Sequence, residues 1–120
     1  MIQVPGHAMI IVLHDSVSFR NGIDGLSGIV RRIVEKDPMK GAYFVFRSMS
    51  GHSLRILYYD GGGYWLCTRR LSQGKFKWWP YNTNKTSSEI LSRDLFVLIW
   101  GGNPKNCIFP DLWKKVRDDR

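Results

Sequence analysis

Arg47, Arg55, Arg69, Arg70, Lys75 and Lys77 lie interleaved with aromatic residues between Tyr43 and Tyr81. Cationic groups beside planar rings are suited to a polyanion whose bases can stack. From Lys40 to Lys85 there are eight Lys or Arg against one carboxylate, Asp60, and eleven of the sixteen aromatics fall in the same stretch. In a strand, alternate residues share a face, so Arg55 goes with Leu57 and Tyr59, Arg69 with Trp65, and Lys75 with Lys77 and Trp79. Where those faces coincide in one sheet, Arg55, Arg69, Lys75 and Lys77 form one positive surface flanked by rings, with Arg47 and Arg70 at its margins. The plainer reading makes the cations a solvated face and the rings core filling. For the rings the core reading is favoured; for the cations the two readings stand level.

Catalytic groups are thin by comparison. Asp24, Asp60, His14, His52 and Ser18 are candidates on paper, yet phosphoryl transfer with two metal ions needs several carboxylates, and the central block offers only Asp60. An aspartate before glycines in a turn ordinarily bonds local backbone amides, which is the expectation for Asp60. Each histidine stands alone beside a turn or strand end and reads as structural or solvated. Cys67 alternates with Trp65 and Arg69, where a small buried thiol is commoner than a nucleophile. Gly61 to Gly63 is not followed by the Lys-Ser/Thr of a phosphate loop and reads as a hairpin turn. No catalytic residue, metal or cofactor is therefore expected.

Periodicity supplies the scaffold for these cations. Ala8 to Leu13 reads as a buried, central strand, and Arg20 to Lys36 places Ile23, Leu26, Ile29 or Val30, Ile33 and Val34 on one helical face, closed by Asp37-Pro38. Strands then come over Tyr43 to Arg47, Leu54 to Tyr59, Tyr64 to Leu71 and Lys75 to Trp79, separated by glycine-bearing turns at Gly51, Gly61 to Gly63 and Gly74. Three consecutive hairpins of this kind make an antiparallel meander. Thr86-Ser87-Ser88-Glu89 has the spacing of a capping box and predicts a second helix from there to Gly101-Gly102. Residues 103–120 form a tail in which Pro110 to Arg117 has room for a short helix, with Leu112, Trp113 and Val116 packing back or docking on a partner.

A chain of 120 residues with a formal net charge of +8 suits one ordinary domain attracted to phosphates or to an acidic partner. Cys67 and Cys107 are the two cysteines and form no metal-binding or disulfide pattern. The apolar run Ala8 to Leu13 is too short for a signal segment or a membrane span, so cytoplasmic residence is expected.

The ordered motifs IDGLSGIV (Ile23 to Val30), Asp37-Pro38, GAYFVFR (Gly41 to Arg47), LRILYYDGGGYWL (Leu54 to Leu66) and RRLSQGKFKW (Arg69 to Trp78) resemble the insertion sequence 66 family accessory protein. This is the product of the element's short second open reading frame, and the likeness runs from about Val4 to Gly102. The family's Asp-Met-Arg-Lys-Gly cluster corresponds here to Ser18-Phe19-Arg20-Asn21-Gly22, of which Arg20 and Gly22 match. Arg20 joins the candidates for nucleic-acid binding. Asp60, Arg69-Arg70-Leu71 and Gly74-Lys75-Phe76 match further family positions. The resemblance implies a protein carried by a transposable element that assists a separate transposase.

The fold expected is a single α+β domain over residues 1–102, an antiparallel meander sheet of about five strands packed by two helices. Its expected partners are DNA, through Arg20, Arg47, Arg55, Arg69, Arg70, Lys75 and Lys77, and the transposase, with no membrane. A protein interaction module without DNA contact is the alternative.

Overall fold

The computed structural model describes residues 4–104. Its strands are β1 (Ile10–Leu13), β2 (Tyr43–Arg47), β3 (Ser53–Tyr59), β4 (Tyr64–Arg70) and β5 (Ser87–Ile90), in the order β4-β3-β2-β1-β5. Helix α1 (Ile23–Ile29) continues through a π-helical turn, Val30–Val34, and joins β1 to β2 as a parallel crossover. Helix α2 (Ser92–Ile99) closes the described chain. The architecture is α+β, with the sheet antiparallel except for the β1–β2 pair.

Pleat alternation divides the core. Ile11, Leu13, Phe44, Phe46 and Leu57 face α1 and bury Leu26, Ile29 and Val30. The other face presents Ile10, Val12, Val45, Leu54 and Ile56 to Leu95, Leu98 and Ile99 of α2. All four residues of β1 are buried because the strand is paired on both sides and covered on both faces. Within the anticipated α1 face Leu26, Ile29 and Val30 are buried, whereas Ile33 is 44% exposed. The helical run stops at Glu35, whose φ of 60° is left-handed, before Asp37 accepts from Met39 N–H to start the short 3-10 turn Pro38–Lys40.

Two expected elements are corrected. Lys75 to Trp79 is not a strand, so the meander ends after two hairpins and β4 is a sheet edge. The segment instead crosses the α2 face and buries Phe76 and Trp79, a spacing of three that alternation cannot supply. Phe76 N–H donates to Gly51 O (2.8 Å), and the Trp79 indole donates to Leu13 O (2.7 Å). Thr86 to Glu89 does not cap a helix: Ser87–Ile90 is β5, paired antiparallel with β1. Without β5, the outer edge of a fully buried strand would keep unpaired backbone groups, a cost larger than a cap can offset. The helix starts at Ser92, where Asp94 accepts from Leu91 N–H (3.3 Å). The anticipated short helix over Pro110 to Arg117 lies outside the described residues.

Candidate nucleic-acid interface

Three of the seven candidate cations are fasteners. Arg55 donates from Nη1 to Phe19 O and Asn21 O (both 3.0 Å) and from Nε to Thr68 Oγ1 (3.0 Å), with its guanidinium 4.4 Å from the Phe19 ring centroid. This ties the loop before α1 onto β3 and β4. Arg69 donates to Ile99 O (2.9 Å) and lies 4.2 Å from the Trp100 ring centroid, holding the end of α2 against β4. Arg47 donates to Phe76 O (3.3 Å) and lies 5.0 Å from Trp79, pinning the segment after β4, and burial lowers its pKa from the usual arginine value. Each combines a charge-assisted hydrogen bond with a cation–π contact, two terms that both reward partial desolvation.

The shared surface foreseen for Arg55, Arg69, Lys75 and Lys77 is corrected. Arg55 pairs with Thr68, and Leu54 pairs with Arg69, so the two arginines stand on opposite faces of the sheet. Lys75 and Lys77 flank the buried Phe76 on a segment outside the sheet.

Arg20, Arg70, Lys75 and Lys77 are exposed, and among the described residues their side chains make no hydrogen bond or ion pair. Topology draws them toward the end of the sheet where β2 turns into β3. Arg70 is paired with Ser53 at the start of β3. Lys75 lies against Gly51, its Cδ 3.6 Å from where a Cβ on that glycine would stand. Leu71 N–H donates to His52 O and the His52 ring bonds Gly74 O, which holds the segment after β4 at the same turn. Arg20 rides on the loop that Arg55 clamps beside Thr68, one pleat step along β4 from Arg70 on the same face. Asp15 and Asp24 are the exposed carboxylates on the loop and helix start at this end.

The residues weighed for catalysis have local partners. Asp60 Oδ1 accepts from Gly62 and Gly63 N–H and Oδ2 from the Trp65 indole, as a turn aspartate should. These bonds, the Gly62 amide first, hold its pKa below the usual carboxylate value. His14 is buried after β1 and joins Lys85 O through Nδ1 and Ser88 Oγ through Nε2, fixing β5 beside β1. Among the described residues no three of His, Cys, Asp and Glu come together to hold a metal ion, and no helix is long and apolar enough to cross a membrane.

Sequence reading missed a groove of about 750 Å³ on the α2 face of β3 and β4, walled by Tyr43, Ile56, Tyr58, Trp65, Cys67 and Ile99. Tyr43 and Tyr58, stacked at 4.0 Å between centroids, both line it, as does Trp65, which is 57% exposed. The alternation of Trp65, Cys67 and Arg69 was the available signal, but the fourth meander strand expected over Lys75 to Trp79 concealed that β4 is an edge.

The fold and these surfaces define a small single-domain α+β protein built on a five-stranded, mostly antiparallel sheet. The chain belongs to the IS66 Orf2-like family, whose model, described as IS66 Orf2 like protein, matches residues 8–107, and which is associated with insertion sequence transposition. It is similar to the uncharacterized protein y4jC of Sinorhizobium fredii (strain NBRC 101917 / NGR234), 41% identical over 93 residues that cover 78% of this chain and 77% of that protein. It is also similar to the uncharacterized protein y4hO of the same organism, 39% identical over 59 residues covering 49% of this chain and 51% of the relative. No solved structure matches.

Proposed function

We propose that this chain assists transposition of an insertion sequence as a non-catalytic accessory protein that holds DNA by its phosphates. The observation that carries this reading is the set Arg20, Arg70, Lys75 and Lys77, exposed and without side-chain partners among the described residues, at one end of the sheet. Arg47 and Arg55 support it indirectly by fastening the segments that carry Lys75, Lys77 and Arg20. Contacts of this kind give affinity without base discrimination, so the element's sequence would be read elsewhere, by the transposase.

The test is a mobility-shift titration of duplex DNA at low salt, with Arg70→Ala plus Lys75→Ala beside the unaltered chain. Removing two exposed phosphate contacts of about 0.5 to 1 kcal/mol each should weaken binding by roughly tenfold. Absence of binding by the unaltered chain, or equal affinity in the variant, rejects this interface. The second reading is a protein interaction module, favoured by Phe96 and Trp100. Phe96 lies on α2 and Trp100 is its C-cap, four residues on; they are 53% and 60% exposed, apolar surface suited to the transposase. Co-purification of transposase, lost on Phe96→Asp, would separate the two readings.

A further inference from the structure

We infer that Met49, at the tip of the β2–β3 turn, is a wedge that parts a base step of duplex DNA and bends it. This rests on the phosphate-holding reading above and names what the same corner does to the bases. Met49 is 73% exposed, the highest value among the described large hydrophobic residues. It stands with Ser50 at the two central positions of a turn closed by Gly51 N–H donating to Ser48 O (3.0 Å). Turn centres ordinarily take glycine, proline, asparagine, aspartate or serine, and the β3–β4 turn obeys this with Asp60 and three glycines. A long apolar side chain on the β2–β3 turn breaks that pattern, and Met49 packs in neither half of the core.

The backbone behind Met49 is tied down on several sides. Ser48 N–H donates to Ser53 O (2.9 Å) and Ser53 N–H to Ser48 Oγ (3.1 Å), while Phe76 N–H donates to Gly51 O (2.8 Å) and Leu71 N–H to His52 O (2.9 Å). Met49 therefore projects from a fixed base, and little backbone ordering remains to oppose its insertion. The surroundings select the ligand. Residues 47–53 and 70–77 contain no carboxylate side chain, and they supply the exposed Arg70, Lys75 and Lys77. Lys75 lies against Gly51 and Arg70 is paired with Ser53, so cations stand beside the turn on the adjoining segment. One apolar side chain set among polar and cationic groups matches a gap between stacked bases whose flanking phosphates take the cations. A protein pocket calls instead for a cluster of apolar anchors, such as Phe96 and Trp100 offer on α2 and its C-cap. Methionine is among the side chains that unstack a base step, and the cost is smallest at flexible pyrimidine–purine steps. The wedge thus adds a preference for deformable DNA without reading individual bases.

The test sets the unaltered full-length chain beside Met49→Ala, Met49→Gln and Met49→Leu on a short duplex carrying 2-aminopurine at one central T-A step. A second duplex has one central mismatch. Binding of the unaltered chain should raise the 2-aminopurine emission, which stacking quenches. It should also favour the mismatched duplex by roughly tenfold, because part of the unstacking is already done. Met49→Leu should keep both effects. Met49→Ala and Met49→Gln should lose both while the slope of log affinity against log salt stays unchanged, since no phosphate contact is removed. Circular dichroism checks that each variant retains the sheet. Binding without a rise in emission, or an equal rise in Met49→Ala, overturns the wedge and leaves the phosphate reading standing. Failure of the unaltered chain to bind any duplex overturns both. Transposase retained by the unaltered chain and lost in Met49→Ala, with the DNA signals unchanged, makes Met49 a protein contact and likewise overturns the wedge.

Discussion

An arginine beside an aromatic ring has two uses in this chain, and the partner of its N–H groups decides which. Arg47, Arg55 and Arg69 reach carbonyl oxygens 29 to 36 residues away, so the sequence displays the cation and the nearby rings but not the acceptor. Residue type and alternation were legible; the tertiary contacts that turn binding candidates into fasteners were not. Asp60 is the opposite case, because every partner lies within five residues and its turn role follows from Asp-Gly-Gly-Gly directly. Its folded pKa is depressed, which fixes the sign of its pH dependence. The turn stabilisation is complete above the unfolded carboxylate value, about 3.9, and is lost as pH falls through the lower folded value. In an NMR titration the Trp65 indole proton should therefore move at acid pH below the ordinary aspartate range. In Asp60→Asn that movement should vanish, and an unshifted midpoint near 3.9 would contradict the assignment.

At the scale of elements, periodicity located β1, β2, β3, β4 and α1 because each buries a face whose spacing matches its own geometry. It failed where tertiary demand overrode local signal. Thr86-Ser87-Ser88-Glu89 has good capping chemistry, but β1 needed a partner along its buried edge, and a backbone ladder outweighs one capping box. Lys75 to Trp79 alternates acceptably, but Phe76 and Trp79 complete the α2-side core only if the chain leaves the sheet plane. The competing helix starts make opposite predictions for two carboxylates. If α2 begins at Ser92, Asp94→Ala removes a bond to Leu91 N–H and a favourable charge in the first turn, costing about 0.5 to 1 kcal/mol. Glu89→Ala, on an exposed β5 position, should then stay within about 0.5 kcal/mol. Urea denaturation midpoints measure both, and the reverse ranking would return the helix start to Thr86.

Among the described residues the exposed positive charge falls at both ends of the sheet rather than on one face. Arg20, Arg70 and Lys75 collect toward the β2–β3 turn, whereas Arg31, Arg32, Lys36 and Lys40 run with α1 to the other end, interspersed with Glu35 and Asp37. Only the first group is placed by fasteners that fix the segments carrying it, and a net field of +8 by itself does not choose between them. Counterion release does choose. Four phosphate contacts from Arg20, Arg70, Lys75 and Lys77 correspond to a slope of log affinity against log salt of about −3.6, at roughly −0.9 per contact. Arg70→Ala plus Lys75→Ala should reduce the slope to about −1.8, while Arg31→Ala plus Arg32→Ala should leave it unchanged. A slope that responds to the α1 pair instead would move the interface to the opposite end of the sheet. The β2–β3 turn would then be a packing corner beside which Lys75 serves solubility alone.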